Sequence, residues 1–160
     1  MFRKLLTTRS VCLSAIIAAL YAALTLLLAP LSYGAIQCRV SEAMTLLPLL
    51  LPQAIPGLFI GCLVANLYTG VITDVIFGSL ATLIAAAGTY LLRKKPLLAA
   101  LCPVAANALI VGLVLSLTQG LPFALTMAEV AAGETAAVAL GYFVLIPAVR
   151  RILPNLSRFM

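Results

Sequence analysis

Between Arg9 and Arg93 the chain carries only three charged residues, Arg39, Glu42 and Asp74, and from Leu97 to Val149 only two more, Glu129 and Glu134. Apolar runs of this length leave few options. About twenty residues wound as a helix rise roughly 30 Å, the thickness of a bilayer's hydrocarbon core. With 64% hydrophobic and 9% charged residues over 160 positions, a soluble domain could not cover its surface. No polar block is large enough for a second domain. Residues 1–160 therefore read as a single all-α integral membrane domain lying in the lipid bilayer.

The breaks between the runs divide it into helices. A first span is expected over residues 11–29, ended by Pro30. Pro48, Pro52 and Pro56 then interrupt the apolar run, so a short helix over 42–51 and another over 55–68 are expected. Ten α-helical residues rise only about 15 Å, too little to span unaided. A fourth span is expected over 74–92, opened by Thr73 and Asp74 as caps, a fifth over 97–117, and a sixth from 123 or 126 to 149. Parity tests the count. Arg3, Lys4 and Arg9 precede the first span, Arg93, Lys94 and Lys95 follow the fourth, and Arg150, Arg151 and Arg158 follow the sixth. Six crossings with cytoplasmic N- and C-termini put all three clusters inside, as the positive-inside rule requires; five or seven would not. The net charge of +6 thus reports topology and does not point to nucleic acid.

Under this scheme Glu42, Asp74, Glu129 and Glu134 all lie toward the outer side, as does Arg39, the one basic residue away from the clusters. Charge within an apolar membrane protein is costly and persists where it is paired or used. The densest polar stretch, from Tyr33 to Glu42, places Gln37, Arg39, Ser41 and Glu42 within six positions. Local structure offers one account of it: Ser41 caps a helix, Glu42 complements the helix's positive end, and Arg39 pairs with Glu42 at i, i+3. That leaves Gln37 and Arg39 side by side without a reason. A polar cavity opening outward, drawing on several helices, accounts for them as well.

Catalysis finds no support. The chain has no histidine and no nucleophile elbow, and Cys12, Cys38, Cys62 and Cys102 are too scattered for a metal site. No phosphate-binding loop is present, so ATP would have to be hydrolysed elsewhere. No cofactor is called for. Glu129 and Glu134 are five positions apart, about 140° around a helix. At most one faces a common pocket; Gly133, Ala137 and Gly141 beside it favour Glu134, leaving Glu129 for the rim. A cavity holding Arg39, Glu42, Asn66, Asp74, Asn107 and Glu134, with Gln37 at its wall, suits a ligand rich in hydrogen-bond donors, since ionised carboxylates only accept. A guanine-like edge matches one carboxylate, an amine a second, and Tyr33 or Tyr68 offers a stacking face. Each residue also has a plainer role open to it: Asn66 and Asn107 as helix bridges, Asp74 as a cap, Arg39 and Glu42 as a rim salt bridge. In the first helix, Ala15, Ala19 and Ala23 repeat every four residues and form a smooth stripe for another helix to approach; packing inside the bundle is the alternative use.

Ile36-Gln-Cys-Arg-Val-Ser-Glu-Ala-Met-Thr-Leu-Leu-Pro48, Gly57-Leu-Phe-Ile-Gly-Cys-Leu-Val-Ala-Asn66, Asp74-Val-Ile-Phe-Gly-Ser-Leu-Ala-Thr82 and Gly133-Glu134 together resemble the queuosine-precursor transporter family. These QueT-like proteins are substrate-binding S components of energy-coupling factor transporters. Cys38 stands where that resemblance leads one to expect an aromatic residue. The resemblance implies a six-helix bundle in a prokaryotic plasma membrane and a 7-deazaguanine ligand such as preQ1, preQ0 or queuine, bound from outside. It further implies that Ala15, Ala19 and Ala23 dock on a transmembrane coupling subunit, driven by two cytoplasmic ATPase subunits. Glu134 or Glu42 would take the guanine-like edge, the other or Asp74 an aminomethyl cation, and Asn66 a ring carbonyl or N–H. The competing expectations are an S component for another vitamin-like molecule, and a stand-alone secondary carrier that needs no ATPase.

Overall fold

A computed structural model of the chain describes residues 7–32 and 39–156, and among these there is no β-strand. Helix α1 spans Thr8–Leu27, opened by Thr7, whose hydroxyl accepts the Ser10 amide at 3.3 Å. A single turn at Ala29–Ser32 follows it. Helix α2, Val40–Leu49, is wound as a 3-10 helix, and α3 spans Ala54–Thr69. Helix α4 runs Asp74–Leu91, starting with a π turn at Asp74–Gly78. Helix α5, Pro96–Gln119, has proline at its first turn, where a missing N–H leaves no donor unsatisfied. Helix α6 runs Phe123–Leu140, passes through a π turn at Gly141–Leu145 and continues over Ile146–Leu156. Gly70 and Gly120 end α3 and α5 at φ 69°, a left-handed conformation that favours glycine.

Four stretches are long and apolar enough to cross a membrane: Thr8–Leu27, Asp74–Leu91, Pro96–Gln119 and Phe123–Ile152. Helices α2 and α3 are apolar but shorter. The largest departure from expectation is in α2. Its tighter winding advances about 2 Å per residue, so ten residues reach roughly 20 Å instead of 15 Å. Every residue from Ser41 to Pro48 is buried, and α2 contacts α1, α3, α4, α5 and α6. A helix buried on all sides belongs in the middle of a bundle, and α2 occupies it, carrying Ser41, Glu42 and Thr45 inward with its apolar residues.

Contacts also fix the direction of each helix. Added side chains at Gly57 and Gly61 of α3 would meet Ser14 and Ala18 of α1, so the two helices ascend together. Ser41 meets Thr25 while Leu47 shares an apolar cluster with Ile17, so α2 runs against α1. Asn66 of α3 reaches Asp74 and Cys62 reaches Thr82, so α4 runs against α3. Thr89 to Ala99 and Thr126 to Gly112 continue the alternation through α5 and α6. The exposed basic residues Arg9, Arg93, Lys94, Lys95, Arg150 and Arg151 therefore collect at one end. Arg39, Asp74 and the α5–α6 turn lie at the other.

The α1–α3 contact explains how the alanines divide. Ala18 and Ala22 are buried, with Ala18 against Gly61. Ala15, Ala19 and Ala23 point outward. Ser41 is not a cap: the position before the helix is Arg39, with no capping side-chain bond. Ser41 lies inside the first turn, and its hydroxyl meets that of Thr25 at 2.6 Å. Neither Thr73 nor Asp74 caps α4 by its side chain; Thr73 precedes the π turn in an already helical conformation.

Candidate functional site

The start of α2 lies against α1 and α4, and its central side chain is Glu42, only 2% exposed. Glu42 Oε1 accepts hydrogen bonds from the Tyr21 hydroxyl of α1 and, at 3.2 Å, from the Thr82 hydroxyl of α4. Tyr21 and Thr82 are themselves fully buried. Their positions follow from close helix approach, because Tyr21 Cβ packs over Gly61 and Thr82 Oγ1 also bonds the Gly78 carbonyl at 3.1 Å. A cysteine completes this wall. Cys62 of α3 lies 3.3 Å from Thr82 Oγ1, 3.3 Å from Asn66 Nδ2 and 3.7 Å from the Arg39 guanidinium.

Facing Glu42 from α6 is Glu134, 4% exposed, and from α5 Asn107, 5% exposed. Gly141 lets α6 reach α2 at this level, because a side chain there would collide with the Ala43 backbone. Asn107 faces both carboxylates, and Arg39 is near enough to act on Glu42, Glu134 and Asp74. Together Arg39, Glu42, Asn107, Val111, Val130 and Glu134 line a small, partly open cavity. Its closed part has room for water rather than for a bicyclic ring, so side chains must shift to admit a larger ligand. Among the described residues, no hydrogen-bond partner reaches Glu42 Oε2, Glu134 Oε1 or Asn107 Nδ2, all buried. An unsatisfied buried polar atom typically costs about 1–3 kcal/mol. Two acceptors and one donor, unsatisfied around one cavity, are a pattern for binding.

Of the residues expected at a site, Arg39, Glu42, Asn107 and Glu134 come together here. Asn66 is fully buried at the α3–α4 joint, where its amide donates to the Asp74 carbonyl at 2.9 Å, and it does not line the cavity. Asp74 is half-buried at the start of α4, Tyr68 is 74% exposed on the outside of α3, and Glu129 is half-buried; none lines the cavity. Tyr33 and Gln37 lie outside the described residues. Val111 and Val130 were not anticipated. Val111 stands one turn beyond Asn107 on α5, and Val130 one turn before Glu134 on α6, so the i, i±4 neighbours of the polar residues would have found them.

A polar, carboxylate-bearing cavity among apolar membrane helices is the kind of site a membrane transport protein offers a small molecule. The particular family follows from comparison: a family model described as QueT transporter matches residues 11–150, and the chain belongs to that family. The queuosine precursor transporter QueT of Lactococcus lactis subsp. cremoris (strain MG1363) is 42% identical over 72 residues, 44% of this chain. That match spans 43% of the relative's length. No solved structure matches the chain.

Proposed function

We propose that this chain is the substrate-binding S component of an energy-coupling factor importer in a prokaryotic plasma membrane. It binds a queuosine precursor, a 7-deazaguanine, from the outer side without changing it chemically. The observation that carries this reading is the cavity itself, with Glu42 Oε2 and Glu134 Oε1 unsatisfied on facing helices and the Asn107 amide between them. A guanine-like edge offers a ring N–H beside an exocyclic amine, two donors for one carboxylate, and its ring carbonyl suits the Asn107 amide. Family membership and the queuosine-precursor name of the Lactococcus relative support the same ligand class.

The topology proposed is six crossings with both ends cytoplasmic. The alternating helix directions, with six exposed basic residues at one end, support it. Helix α2 need not match the full bilayer thickness, because it is enclosed by protein. The outward-facing Ala15, Ala19 and Ala23 form the surface for a transmembrane coupling subunit, which two cytoplasmic ATPase subunits would drive. Calorimetric titration of purified protein with preQ1, preQ0, queuine and guanine, against riboflavin and thiamine, tests the ligand class. Saturable binding of a deazaguanine is expected. Folded protein that binds none of them would overturn the assignment.

A further inference from the structure

The two carboxylates in the cavity are not equivalent. Glu42 is held by protein: its Oε1 takes two hydroxyl donors, and Arg39 stands beside it, one residue before the same helix. Glu134 has no such set. Its Oε1 is buried without a donor among the described residues, and the Asn107 amide, Glu42 and the Arg39 guanidinium are near enough to act on it. Arg39 is also drawn on by Asp74 at the α4 start. Among the cavity-lining residues there are thus two carboxylates and one cation. A second carboxylate enclosed by apolar helices beside the first, with one guanidinium shared between them, is costly to hold as an ion, and a cation brought by the ligand stabilises its charged form.

Resting on the proposed function, we infer that the cavity selects a cationic, amine-bearing deazaguanine over a neutral one, and that Glu134 is the residue that reads the ammonium. Glu42, already anchored by Tyr21 and Thr82, keeps Oε2 for the donors of the guanine-like edge. Charge-assisted hydrogen bonds are about twice as strong as neutral ones, and the ligand cation makes its bond where water is scarce. A neutral ligand of the same ring system fills the same space but leaves Glu134 Oε1 without its donor.

The test uses preQ1, which carries a primary ammonium, and preQ0, which carries a neutral nitrile in its place. Both are titrated calorimetrically into wild-type protein, Glu134→Gln and Glu134→Asp. Wild type is expected to favour preQ1 by about tenfold to a hundredfold. Glu134→Gln should bring the ratio of the two affinities close to one, whereas Glu134→Asp, which keeps the charge, should preserve a preference for preQ1. Equal wild-type affinities would overturn cation selection while leaving deazaguanine binding intact. A preference retained in Glu134→Gln would take the role from Glu134. Folded wild type binding neither ligand would overturn both this inference and the function on which it rests.

Discussion

The contact on which the site depends most is the crossing of α1 and α3 at Gly61. Lipid gives helices no hydrophobic drive to associate, so close packing of small residues has to supply it. An alanine Cβ at Gly61 would sit 2.7 Å from the Ala18 carbonyl oxygen, 3.0 Å from Ala18 Cα and 2.9 Å from Tyr21 Cβ. Two of these are backbone atoms, which no rotamer change can clear. Helix α1 must back away by several tenths of an ångström, and Tyr21, which donates to Glu42, moves with it. Overpacking of this kind costs roughly 1–3 kcal/mol. For a chain of this size that lowers the unfolding midpoint by about 2–4 °C per kcal/mol, several degrees in total.

Gly70→Ala is the matched control. There the new methyl meets nothing within 4 Å, and only the φ of 69° opposes it, a strain of roughly 1–2 kcal/mol. Unfolding in detergent can be followed by a thiol-reactive fluorophore, because Cys62 is fully buried beside this contact. Gly61→Ala should lower both the midpoint and the ligand affinity. Gly70→Ala should lower the midpoint alone, since it is remote from Tyr21. A Gly61→Ala protein with unchanged midpoint and unchanged affinity would refute the close approach and the role given to Tyr21.

Two further substitutions separate binding from coupling. Val130→Phe, on the cavity wall one turn from Glu134, puts a ring into the space the ligand would take and should weaken deazaguanine binding by about fivefold to a hundredfold, roughly 1–3 kcal/mol; binding at wild-type affinity by the folded variant would move the ligand elsewhere. Ala19→Leu, on the outward stripe of α1, should leave calorimetric binding unchanged but abolish uptake in cells that supply the coupling module. Full uptake by that variant would remove the stripe from the docking surface.

How much of this was legible in the sequence depends on what set each feature. Helix limits were readable to within a few residues, because Pro30, the basic cluster at 93–95 and Pro122 end apolar runs where chain chemistry demands it. The winding of α2 was not readable. Pro48 announces a disturbance, but a 3-10 helix is chosen by five surrounding helices, and no local signal states their presence. Ser41 shows the same limit. Next to Glu42 it has the spacing of a cap, yet a hydroxyl sixteen residues away, on Thr25, takes it instead. Asn66 and Asn107 were indistinguishable as lone amides in apolar runs. Their difference is tertiary: the α3–α4 joint absorbs one amide, while the other faces two carboxylates.

The convergence itself has a cause that does reach back to sequence. Because direction alternates at each turn, the early part of even-numbered helices and the late part of odd-numbered ones share one end of the bundle. Glu42 begins α2, Asp74 begins α4, Glu134 lies beyond the middle of the first segment of α6, and Asn107 sits midway along α5. Depth then sorts them. Asp74, at the rim, is half-buried and draws on Arg39, whereas Glu42, Glu134 and Asn107 lie deeper and are almost wholly buried. Two buried carboxylates this near each other, with one guanidinium beside them among the described residues lining the cavity, are what the proposed ligand's donors and charge would satisfy. The same depth explains the valines. Val111 and Val130 close the cavity with apolar surface, so under the proposed function polar recognition falls to Asn107, the two carboxylates and Arg39, and discrimination to Glu134, whose Oε1 has no donor among the described residues.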